Sequence, residues 1–119
     1  MLSIKSAVLT ALQTTTALAT ITGFYFFHPS DFTNLPALSY FEVVNKGNLF
    51  ADNQEIGTEM MYQIDLWGHD SLTALAKGVD DTMTTLDFVR VGAQDLYEKD
   101  TRIYHKAMRY KLDYSDPEF

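Results

Sequence analysis

Residues 56–86 read IGTEMMYQIDLWGHDSLTALAKGVDDTMTTL, and the spacing of apolar side chains changes once within them. Up to Trp67, Ile56, Met60, Tyr62, Ile64 and Leu66 alternate with Glu59, Gln63 and Asp65, the period of two that a strand with one buried face requires. After Gly68, Leu72, Leu75, Ala76, Val79, Met83 and Leu86 recur at the spacing that gathers them on one side of a helix. A half-apolar strand running straight into a half-apolar helix predicts a sheet with helices packed on it. His69, Asp70 and Ser71 stand side by side at the joint. A hydrolytic triad needs nucleophile, base and acid to converge, and three consecutive residues spanning a strand end, a turn and a helix start diverge. Asp70 or Ser71 is therefore read as a cap for the free amides of the helix's first turn.

The flanking segments fill in the sheet. Ile4, Ala7, Val8, Ala11 and Leu12 predict an opening amphipathic helix with Ser3 as its cap, and the threonines from Thr14 to Thr16 weaken it. FYFF (24–27) is a brief aromatic strand closed by Pro29. LSYFEVVN (38–45) is a second strand, with Leu38, Tyr40 and Val44 on one face and Phe41 and Val43 on the other. Residues 46–57 are rich in Gly, Asn and acidic side chains and read as a long hairpin loop or arm. DFVRVG (87–92) predicts a short strand and AQDLYEKDTR (93–102) a connecting loop. IYHKAMRYKLDY (103–114) predicts a long strand with Tyr104, Met108, Tyr110, Leu112 and Tyr114 on one side and His105, Arg109, Lys111 and Asp113 on the other, before a flexible tail at 115–119. The expectation is one α+β domain over 1–119, a mainly antiparallel sheet of about four to five strands with two helices packed on one face.

Totals exclude several functions. The formal charge of -7 opposes a general grip on nucleic acid or anionic lipid, because phosphate binding needs clustered Lys and Arg. The chain has no cysteine, which rules out disulfides and thiolate chemistry. Ala17-Leu18-Ala19 imitates a signal-peptidase site, but Gln13 and the threonine run interrupt the apolar stretch before it, and no apolar span is long enough for a membrane helix. His28, His69 and His105 lack metal-binding spacing, Asp80 and Asp81 point about 100° apart on a helix, and no glycine-rich phosphate loop exists. No cofactor or metal ion is expected. Two surfaces are left as candidate subunit or partner contacts. One is the loop 46–57, with Leu49, Phe50, Asp52 and Gln54; the other is the basic stretch holding Lys99, Arg102, Lys106 and Arg109.

The order of elements resembles the tail completion, or tail terminator, proteins of long-tailed phages with non-contractile tails. The resemblance runs over an opening amphipathic helix, PALSYFEVV after a proline loop, YQIDLWGHD flowing into SLTALAKGVDDTM, and DFVRVGAQDLYEKDTRIYHKAMRYKLDY. It implies a virion protein without catalysis, made in the host cytoplasm. Such a protein forms a six-fold ring on the head-proximal end of the tail tube, ends tube growth, and meets the tube protein and the head connector while DNA passes through. Net acidity suits a surface that DNA slides past. The alternatives are another neck component such as a stopper or head-completion protein, a small enzyme using His69 and Asp70, and an exported protein cut after Ala19.

Overall fold

The computed structural model describes residues 4–51 and 53–115, without the side chains of Leu49 and Ser115. Helix α1 spans Lys5–Thr14, and a short 3-10 turn follows at Thr16–Leu18. Strand β1 is Gly23–Phe26, β2 Ala37–Ala51 and β3 Gln54–Gly68; α2 is Thr73–Thr85, β4 Val89–Glu98 and β5 Ile103–Ser115. The strands form one sheet in the order β1-β2-β3-β5-β4, with β1 parallel to β2 and the other pairs antiparallel. This is the expected α+β arrangement. Val8 and Leu12 of α1 and Ala76, Val79 and Met83 of α2 pack on one sheet face, against Leu38, Met60, Tyr62, Ile64, Leu66, Met108 and Tyr110.

The period-two residues of β3 are the middle of that core. Met60, Tyr62, Ile64 and Leu66 are all fully buried, each side chain contributing roughly 1.5–3 kcal/mol by leaving water. Helix α2 can lie close to the 3-10 turn because Gly78 has no side chain: a Cβ there would stand 3.0 Å from the Ala17 Cβ. The Tyr62 and Tyr110 hydroxyls would be stranded in this layer, so each finds a carboxylate at its rim. Tyr62 donates to Glu42 Oε2 at 2.8 Å, and Tyr110 donates to Asp80 Oδ1 at 3.0 Å. Burial first, then these carboxylates, push both phenols well above their ordinary value.

Two expected loops are strands instead. Residues 46–57 continue β2 and β3, which pair from Ala37↔Trp67 out to Ala51↔Gln54 and leave two residues between them. Asn53 there has φ 62°, a left-handed conformation that asparagine tolerates. Gly47, Asn48 and Gly57 imitate a loop in the sequence, but ladder hydrogen bonds are open to every residue except proline, and register shifts between Gly47 and Phe50 absorb the irregularity. Residues 93–98, expected in a loop, belong to β4, so the connection to β5 is only 99–102. A third correction concerns Val44. A bulge between Glu42 and Val44 flips the alternation, so Val44 opposes Met61 on the face away from the helices. Of the tail, Ser115 still pairs with Gly57 in β5. Ser3, Asp52 and residues 116–119 lie outside the described residues.

Candidate functional site

The cluster at the strand–helix joint does not converge. His69 Nδ1 donates to the Arg102 carbonyl oxygen at 3.1 Å, and Ser71 Oγ turns to the Thr73 hydroxyl at 3.1 Å. Leu72, not Asp70, is the residue at the N-cap of α2, and no capping side chain bonds there. Ser71 Oγ lies 3.4 Å from the Thr73 amide, a long contact that supplies part of the expected cap. Among the described residues, no three His, Asp or Glu side chains gather in a way that would hold a metal ion.

The polar side chains that do converge lie on the sheet face opposite the helices. Strands β3 and β5 put Trp67 opposite His105, Asp65 opposite Ala107 and Gln63 opposite Arg109, and directly opposed residues share a face. Asp65 is only 2% exposed. It accepts from Gln63 Nε2 at 3.0 and 3.1 Å and from His105 Nε2 at 2.7 Å. Gln63 passes the order on, its Oε1 accepting from Arg109 Nε at 2.9 Å. The imidazole of His105 is also stacked on Trp67 with ring centroids 3.7 Å apart, and Trp67 Nε1 donates to Ser39 Oγ at 3.0 Å. One buried carboxylate thus positions an imidazole on one side and a guanidinium on the other. Interior groups tied this way are held in one geometry, because each alternative leaves a buried polar atom unpaired.

The loop between β1 and β2 roofs the near end of this face. The His28 and Phe32 rings each sit 5.3 Å from Trp67, and Asp31 closes the loop by accepting from the Thr33 amide and hydroxyl and from Asn34. Those bonds hold the Asp31 carboxyl below the usual carboxylate range. Trp67 therefore anchors the face away from the helices. The far end stays open. Gln63, Arg109 and His105 stand around Ala107, and with Gly92 and Gln94 of β4 they enclose a hollow of about 440 Å³.

The candidate contact residues fall in separate places. Phe50 is 61% exposed on the outer part of the β2–β3 hairpin, and Gln54 is exposed beside its turn. The Leu49 side chain and Asp52 lie outside the described residues. The basic stretch is no single patch: Lys99 and Arg102 are in the β4–β5 turn, Lys106 lies on the helix side paired with Asp95 at 3.0 Å, and Arg109 belongs to the open-face network. Alternation along β5 separates Lys106 from Arg109. Gln63, Asp65, Trp67 and His105 do not stand out as a set in the sequence, where the polar faces of two separate strands look solvated. The signal available was their complementarity, since β3 offers Gln63 and Asp65 where β5 offers Arg109 and His105.

Apolar surface is exposed at both sheet edges. At one edge Phe26 and Phe27 are open, with Phe27 at φ 69° and its ring stacked 4.7 Å from Phe41. At the other edge all ten residues of β4 are exposed, Val89 at 66%. No family model matches the chain, and no curated protein matches it.

Proposed function

We propose that this chain is a structural virion protein that caps the head-proximal end of a long, non-contractile phage tail tube as a six-fold ring, ends tube growth and joins tail to head. The observation that carries the reading is the β2–β3 hairpin. It runs past Met60, the outermost core residue of β3, as paired strands that present Phe50 to solvent. It draws the molecule out to 54 × 27 × 22 Å, with a radius of gyration of 15.7 Å, against roughly 13.5 Å for a compact chain of this length. A ring needs heterologous contacts, one patch on a different patch of the next copy. An arm projecting from the body of one copy onto its neighbour supplies such a contact. The exposed apolar residues at both sheet edges and the charge of -7, suited to a passage for DNA, support the same reading. No bond-making step is assigned to the chain.

Electron microscopy of tubes assembled from tail tube protein tests this. With the chain present, tubes should end in a ring and stay uniform in length. The variant combining Leu49→Ser and Phe50→Ser should stay folded and form no rings. Tubes that elongate unchecked in the presence of the native chain would refute the proposal.

A further inference from the structure

Gly92 lies at a β-bulge, the register of β4 shifting between Arg90 and Gly92, but neither its backbone conformation nor crowding around it demands a glycine. Its backbone is not left-handed, since no glycine in the described chain has positive φ, and a Cβ built on it would meet nothing within 4 Å. A glycine inside a strand costs stability through its backbone freedom, and it is usual where a second backbone or a ligand must approach closely. Gly92 sits in the edge strand, directly opposite Arg109. The missing side chain leaves the way open from the free edge of the sheet to the hollow that Arg109 lines.

Arg109 is unusual among the cations of the strands. Lys46, Arg90, Lys106 and Lys111 each face a carboxylate, on Glu59, Asp80, Asp95 and Asp113 respectively. Among the described residues Arg109, which is exposed, bonds only to the neutral amide of Gln63, through Nε, and its two terminal nitrogens meet no carboxylate. A guanidinium held by its Nε presents a planar fork that matches the two oxygens of a carboxylate. Asp65 holds Gln63, and Gln63 holds the Nε of Arg109, which biases the exposed fork toward the hollow before anything binds.

The edge itself decides between a free anion and a polypeptide. Among the described residues, β4 has β5 on one side and no strand on the other, so its outward amides and carbonyls are available to an added strand. Val89, Val91, Leu96 and Tyr97 along it are large and exposed. A small carboxylate would use none of this.

We infer that the free edge of β4 receives an extended acidic segment of a partner protein, which pairs with the β4 backbone and places one Asp or Glu carboxylate across Gly92 onto Arg109. Main-chain hydrogen bonds supply the grip, and the single carboxylate supplies selectivity. This stands apart from the ring reading, because it concerns an isolated copy and a peptide and needs no tube.

Titration of the isotope-labelled chain with the capped peptide acetyl-Val-Thr-Glu-Val-Thr-amide, followed by amide NMR, tests it. The amides of Val89–Glu98 should shift, and the same peptide with Gln in place of Glu should bind about ten-fold more weakly, as for the loss of one charge-assisted pair. In Arg109→Gln the two peptides should bind alike, and Gly92→Val, whose Cβ would meet nothing within 4 Å, should keep the fold and likewise erase the preference for Glu by standing between the added strand and Arg109. Equal binding of the two peptides to the native chain, or no response along β4, would overturn the inference. So would concentration-dependent shifts along β4 without peptide, which would place a second copy on that edge.

Discussion

Strands β3 and β5 are neighbours, and so are β5 and β4, yet the two partners of β5 have opposite fates. Every even-numbered residue of β3 from Thr58 to Gly68 is buried, whereas no residue of β4 is. Both strands are hydrogen-bonded along their lengths and both carry valine, leucine, isoleucine or tyrosine. The difference is the second layer. The helices cover β2, β3 and β5, and the core includes no residue of β4. Membership of a sheet satisfies a strand's backbone, and only a covering layer removes its side chains from water. A strand that is paired on one edge, bare on both faces and still apolar is a surface for another molecule.

The contrast is sharpest for a deletion under the helices. Ile64→Ala should cost about 2–5 kcal/mol by leaving a cavity in a close-packed layer, a large share of a domain's margin, read as a lower midpoint in urea. Trp67→Ala tests the opposite face of the same strand. Half-buried between His105, Phe32 and His28, it should cost about 3 kcal/mol, the low end for a large aromatic. A negligible loss would mean that the roofed end of the open face contributes nothing. Asp65→Asn should cost about 1–3 kcal/mol, because Gln63 and His105 lose the carboxylate they share. It should also loosen Arg109, which side-chain NMR of the guanidinium would report.

Alkaline titration addresses the covered face alone. The Tyr62 and Tyr110 phenols titrate above the ordinary tyrosine value of 10.0 in the folded chain. Unfolded tyrosines lose their protons first, so the stability these groups contribute is whole below pH 10 and declines as pH rises beyond it. Tyr62→Phe and Tyr110→Phe should flatten that decline in unfolding curves recorded at rising pH. The smallest effect is expected at the edge. Val89→Ser should change stability by no more than about 0.5 kcal/mol; a larger loss would show that β4 has cover of its own.

The contrast between β3 and β4 also marks where the sequence is readable. The alternation from Ile56 to Leu66 and the helical spacing from Leu72 to Leu86 were legible because strand and helix periods are properties of a few neighbouring bonds. The hairpin arm and the second half of β4 were not, since Gly, Asn and Asp have local turn preferences that tertiary pairing overrides. The same limit hid the network of Gln63, Asp65, His105 and Arg109, whose members lie about forty residues apart and meet only through a register between strands.

What the residues determined alone was therefore the class of fold and, along β3, α2 and β5, which side chains share a face, because these follow from backbone geometry within a few positions; the bulge that turned Val44 over in β2 did not. Which faces are covered, which edge stays free and which charge goes unpaired were decided by the tertiary structure. Burial and pairing depend on what the rest of the chain brings alongside, and no local period encodes that.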